Sequence, residues 1–156
     1  MKSIEYHSII RGCKVTEYLA NYEAYSITEV NDLGQSLLHL AIASNCLEIS
    51  EDLIKRGADV NLVDIRKLSP LHCAAQNNLP DMAKLLITNG AIIDLQNEHG
   101  NKALWDAVFN ARGNYEIVKM LLESGADANH KNPSNLSPLD FAKRIGDKKL
   151  ISLLEN

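Results

Sequence analysis

Aliphatic residues three to five positions apart recur along the chain: Ile49 with Leu53 and Ile54, Met82 with Leu85 and Leu86, Ile117 with Leu121 and Leu122, Leu150 with Leu153 and Leu154. That spacing puts each set on one stripe of a helix. A shorter apolar stretch precedes each of them: "GQSLLHLAI" from Gly34, "KLSPLHCAA" from Lys67, "GNKALWDAV" from Gly100 and "NLSPLDFAK" from Asn135. These starts are 33, 33 and 35 residues apart. A third marker keeps the same beat. "RGADVN", "NGAIID" and "SGADAN" carry Gly57, Gly90 and Gly125, spaced 33 and 35. The 35 in both series has one cause, two extra residues in the third unit, assigned to Ala111 and Arg112.

Each marker has a physical reading. In Ser69-Pro70 and Ser137-Pro138, the serine caps a helix N-terminus and the proline suits the first helical position. Asn45, Asn78, Gly113 and Gly146 mark the turn to a second helix. The repeated glycine then ends that helix, where a left-handed residue is wanted. "ADVN" and its relatives lead through a hairpin-like finger to the next unit. Neither helix of a pair can bury its stripe alone, so the pairs must stack into an array.

This pattern resembles the ankyrin repeat, roughly D-x-x-G-x-T-P-L-H-x-A-A, a turn, a longer helix and G-A-D-V-N. The resemblance implies an all-α ankyrin-repeat solenoid of stacked helix-turn-helix units with hairpin-like finger loops, four to five repeats in all. It makes residues 1–156 a single domain. Full repeats fall at 31–63, 64–96 and 97–131, with a terminal capping repeat at 132–156 and a degenerate opening unit at 1–30. In that unit "HSIIRGCKVTEYL" supplies two short helices and "AYSIT" stands where "GADVN" would be. Departures from the pattern are local. Lys67 and Asn135 replace a turn glycine, and Lys102-Ala103 replaces Thr-Pro, which leaves the third unit's first helix poorly capped. Trp105 and Asp140 replace the histidine.

Composition changes little in this picture. Hydrophobic residues are 46% and charged residues 23% of the 156, ordinary for a folded domain. The formal net charge of −4 supplies no basic face for nucleic acid or anionic lipid. No apolar run approaches the ~18 residues needed to span a bilayer, and no secretory signal opens the chain. A cytoplasmic location follows as the expectation. Cys13, Cys46 and Cys73, an odd number with no CxxC, read as free thiols. The repeat register could bring Cys13 near Cys46, but two thiols make a poor zinc site. Neither a metal nor a cofactor is expected.

Candidate chemistry is sparse. His39 and His72 occupy a repeat position, and the resemblance gives them a structural role, tying adjacent fingers together. Cys73 follows His72 directly, but neighbours on a helix point about 100° apart and cannot pair. Asn135-Leu136-Ser137 matches a glycosylation acceptor. No catalytic residue is assigned, and the chain is not expected to be an enzyme.

Ankyrin arrays bind through their finger tips and the concave surface of the first helices. Carried onto this chain, the tip positions include Leu33, Gln35, Val63, Ile65, Arg66, Leu68, His99 and Asn101. The helix positions include Gln76, Asn77, Trp105, Phe109 and Asn110, with Arg112 projected by the insertion. Leu33, Val63, Ile65, Leu68 and Leu136 are aliphatic where tips are usually polar. They form either a partner-facing patch or, for Leu68 and Val63, an inward packing between fingers. Phe109 is either an anchor or packs under the insertion. The expected function is non-catalytic, stoichiometric protein binding by a monomer. An immunity protein that neutralises a cognate toxin is the first form of it. A regulatory adaptor or inhibitor of a cellular enzyme such as a kinase is the alternative.

Overall fold

In the computed structural model, residues 8–21 and 26–155 are described. His7, Ala24 and Tyr25, which belong to the two motifs assigned to the opening unit, lie outside them. Among the described residues, nine helices follow a turn of helix at 8–11: α1 Val15–Asn21, α2 Leu37–Ala43, α3 Leu47–Lys55, α4 Pro70–Gln76, α5 Pro80–Thr88, α6 Ala103–Asn110, α7 Glu116–Glu123, α8 Pro138–Ile145 and α9 Lys148–Leu154. There is one isolated antiparallel bridge, Val30 to Ser36, among the described residues. The fold is the all-α solenoid expected. Four antiparallel hairpins, α2–α3, α4–α5, α6–α7 and α8–α9, stack in order: α2, α4, α6 and α8 form one layer, and α3, α5 and α7 the next.

The stripes read from sequence form the seam between layers. Ile49, Leu53, Met82, Leu86, Ile117, Leu121, Leu150 and Leu154 are buried, together with Leu38, Leu71 and Leu104 of the first helices. Ser36, Ser69 and Ser137 each accept a hydrogen bond from the backbone three residues on, completing capping boxes with His39, His72 and Asp140. Lys102, in the same place, makes no side-chain cap. Helices α3, α5 and α7 end in Schellman turns. Gly57, at φ 95°, donates to Ile54, and Ala58 donates back to Leu53.

Cys13 and Cys46 are joined in a disulfide, with Cα atoms 5.5 Å apart. The free-thiol expectation therefore holds only for Cys73. Cys13 sits at φ 46° in a helix-end turn of the opening unit, and Cys46 follows Asn45 in the corresponding turn of the next. Stacking of consecutive turns is what brings the two sulfurs together.

Candidate functional site

Each finger is built on one Asn or Asp whose carboxamide or carboxylate oxygen gathers two backbone N–H groups. Asn31 accepts from Leu33 and Gln35, Asp64 from Arg66 and Leu68, Asn97 from His99 and Asn101, and Asn132 from Ser134 and Leu136. Such Asx turns fix the tip without help from a partner. The tips are then tied to one another. The Ile65 N–H donates to the Leu33 carbonyl at 3.0 Å, and the Glu98 N–H to the Arg66 carbonyl at 2.9 Å. The next donor in this ladder would be residue 133, a proline, which has no N–H. There the tie passes to side chains: Asn132 Nδ2 to Asn101 Oδ1 at 2.9 Å, and His130 Nε2 with the Gly100 carbonyl at 3.2 Å.

His39 and His72 hold the fingers from beneath. In each, Nδ1 accepts the N–H of the capping serine at 3.2 Å, so the ring proton lies on Nε2. His39 Nε2 then donates to the Leu68 carbonyl at 3.0 Å, and His72 Nε2 to the Asn101 carbonyl at 3.1 Å. Burial holds both imidazoles below their ordinary pKa, which keeps them in this neutral form. Cys73 is no nucleophile: burial pushes its thiol up to about 12, and the thiolate is the reactive form.

The aliphatic tips divide into two groups. Leu68 is 4% exposed, because the finger closes over Asp64 and turns its side chain inward, away from the exposed tip. Ile65, at 65%, and Leu33, at 49%, stand on adjoining tips joined by the backbone bond, and Val63 is exposed on the same finger. Gln35 is half-buried and holds Asn31 Nδ2. Asn77 and Asn110 turn their amides back onto the carbonyls of Cys73 and Asp106. Phe109 is 59% exposed, and its ring lies 5.3 Å from that of Phe141, which also meets Trp105 at 5.7 Å. The three rings form a ledge along α6 and α8, so Phe109 is not packed beneath the insertion. Ala111 is the buried residue there, and Arg112 is exposed.

Between the second and third fingers and α4 and α6 lies a cavity of about 120 Å³, lined by Arg66, Leu68, Gln76, Asn97, Glu98, His99, Asn101 and Asp106. It thus unites Arg66, Leu68, Gln76, His99 and Asn101 of the expected tip and helix positions. It also contains a residue that the repeat motif did not single out. Asp106 is 8% exposed and its Oδ2 has no hydrogen-bond partner. Burial pushes its carboxyl up to about 6, against the opposing effects of a hydrogen bond from Gln76 and the nearby His99. A signal was present in the sequence. In-phase superposition of the repeats puts Asp106 in a column with Leu40, Cys73 and Phe141, where every other member is apolar. Among the described residues, no three His, Cys, Asp or Glu side chains are placed to hold a metal ion, and no helix is long and apolar enough to cross a membrane.

A stack of helical hairpins whose rigid tips present one row of side chains defines a repeat-protein scaffold. The ankyrin-repeat pattern in its three-copy form matches residues 51–132, more than half of the chain, and the single-repeat form matches 33–65. The chain belongs to the ankyrin-repeat family. It is 38% identical over 122 residues to the mouse B-cell lymphoma 3 protein homolog, covering 78% of this chain and 26% of that protein. To human transient receptor potential cation channel subfamily A member 1 it is 31% identical over 127 residues, covering 81% and 11%. To chicken NF-kappa-B inhibitor alpha it is 33% identical over 109 residues, covering 67% and 34%. The chain thus spans about a quarter or less of the first two relatives and a third of the last.

Proposed function

We propose that the chain is a non-catalytic module that binds one partner protein stoichiometrically across its finger tips and first helices, and acts by covering that partner's surface. The observation that carries this is the apolar pair Leu33 and Ile65, exposed side by side on tips already locked by Asx turns and a backbone bond. Apolar side chains held rigidly outward lose little entropy when a partner covers them. Phe109 on its aromatic ledge supplies a second anchor of the kind that dominates interfaces. The cavity beside them, at about 120 Å³, falls well short of the ~300 Å³ at which small-molecule sites begin, so it suits a side chain rather than a cofactor or substrate.

One relative is named as an inhibitor, which favours inhibition of a cellular protein over toxin neutralisation as the form this binding takes. The Cys13–Cys46 bond bears on location. Disulfides persist in oxidising compartments, so action in the cytoplasm requires that bond to be open there.

Capture of partners by the tagged chain from its own cells, with mass spectrometry, tests the reading. One stoichiometric protein is expected. The double variant Leu33→Asp, Ile65→Asp should retain it about tenfold less well or worse, with circular dichroism and melting unchanged. Equal capture by the double variant would remove the patch from the interface. A captured protein whose expression alone stops growth establishes the toxin-immunity form instead; an enzyme or transcription regulator establishes the inhibitor form.

A further inference from the structure

We propose that the cavity at Asp106 is a subsite for one basic side chain, lysine or arginine, of the bound protein; this rests on the protein-binding reading above. A buried carboxylate is costly, and buried polar groups are ordinarily paired. Here one oxygen is left without any partner, although Gln76 lines the same cavity. The column that Asp106 occupies is otherwise Leu40, Cys73 and Phe141, so the repeat itself has no need of a carboxyl at this place. The feature therefore points to something that arrives from outside.

The surrounding charges decide the sign of the visitor. From the fingers, Arg66, Glu98 and His99 face the cavity; from α4, Cys73 feels the Asp106 charge. The basic side chains at the rim already lie beside carboxylates of their own: Arg66 Nε is 3.8 Å from Asp64 Oδ2, and His99 Nε2 is 3.6 Å from Glu98 Oε1. Asp106 is the cavity's remaining acid, and its Oδ2 the site's unused acceptor. An anion would meet that carboxylate directly, and an apolar tip would leave it unpaired. A donor with positive charge satisfies it. About 120 Å³ holds a few water-sized groups, enough for an ammonium or a guanidinium, whose stem would leave past the half-buried Gln76 and Asn101. Charge-assisted bonds of this kind in a desolvated pocket fix register and partner choice.

The test uses the full chain with N-acetyl-arginine amide and N-acetyl-lysine amide as probes, and N-acetyl-citrulline amide and N-acetyl-norleucine amide as neutral controls. Binding is followed by the backbone and side-chain amide resonances of Gln76, Asn101 and Trp105. Saturable shifts are expected with at least one cationic probe and not with the controls. Affinity should rise with pH through about 6, where Asp106 ionises, and this rise should survive in His99→Gln. Asp106→Asn should lower the affinity about tenfold or more. Asp106→Leu, which restores the residue type of Leu40, keeps the fold and should abolish binding. Equal response to citrulline and arginine, equal binding by Asp106→Asn, or no cationic binding in the wild type would each overturn the subsite. The partner protein supplies a separate arm. If Leu33→Asp, Ile65→Asp loses the captured partner and Asp106→Asn retains it fully, the protein-binding reading stands and the subsite falls. If nothing is captured at all, the protein-binding reading fails while the probe titration still decides the pocket.

Discussion

The second and third repeats start from the same scaffold and use it differently. In the second, Ser69 caps α4 with His72 in a capping box, His72 reaches the next finger at Asn101, and Cys73 is simply buried. In the third, Lys102 caps nothing, Trp105 stands in the histidine's place, and Asp106 puts a carboxyl into the apolar column. Two further residues loosen the turn after α6. At Lys102, Trp105 and Asp106 the third repeat thus lacks the side-chain cap, the finger-tying histidine and the apolar column residue of the second. Proteins tolerate such losses where the surface does something else. The regular repeat is tied to its neighbours at cap, histidine and column alike, and the irregular one instead carries the buried Asp106 and the exposed Phe109, two of the groups proposed above to meet a partner.

The sharpest way to break this comparison is to exchange the column residues. With a folded value of about 6 against an ordinary 3.8, ionised Asp106 costs about 3 kcal/mol at pH 7. Its raised pKa means that the native state holds the proton longer than the unfolded chain. The penalty is absent below pH 3.8 and complete once pH has risen past about 6. Asp106→Leu should therefore stabilise the protein by about 2–3 kcal/mol at pH 7, and the pH-linked part of that gain should vanish towards pH 4. Cys73→Asp, which moves the acid to the regular repeat, should destabilise by a similar amount. Urea melts at several pH values measure both. An Asp106→Leu variant no more stable than wild type at pH 7 would mean that the carboxyl is not under strain in the free protein.

The histidine ladder is the next largest effect. His72→Ala removes the donor to Asn101 and leaves Ser69 without its partner, at a cost of about 2 kcal/mol. Trp105→Ala, at the half-buried equivalent position, should cost less than half as much. Because His39 and His72 are depressed by burial, their contribution is full above pH 6.5 and is lost as pH falls below it. This slope opposes that of Asp106. In the Asp106→Leu background, stability should rise with pH from 5 to 7 more steeply than in the wild type.

Much of this comparison was legible in the chain itself. The period, the caps and the buried stripes are local and repeat in phase, so each unit corroborates the others, and the missing cap at Lys102 was evident. What the sequence left open or missed were effects that depend on neighbours across the stack. Leu68 stayed open between an outward tip and an inward packing because its burial comes from a turn closed by Asp64 four residues earlier. The repeat register put Cys13 near Cys46, but the bond itself depends on two turns meeting in consecutive layers, one of them in the degenerate opening unit, and went unread. Asp106 was masked because the motif treats its position as variable, although the column Leu40, Cys73 and Phe141 marked it as apolar.

The smallest expected effect concerns the uncapped helix. Lys102→Ser places on α6 the residue that caps α2, α4 and α8, worth about 1 kcal/mol. It also removes the ion pair of Lys102 Nζ with Asp94 Oδ1, at 2.8 Å, in which Lys102 is largely buried and Asp94 is exposed. Pairs of that half-exposed kind contribute about 0.5 kcal/mol. The net gain is thus about 0.5 kcal/mol, and the companion Asp94→Asn should lose about the same amount in the wild type but nothing in Lys102→Ser. A double-mutant cycle by chemical denaturation separates the two contributions. If Lys102→Ser instead destabilises, the lysine holds the third repeat more firmly than a cap would. The irregular repeat would then have replaced its stabilising device rather than surrendered it.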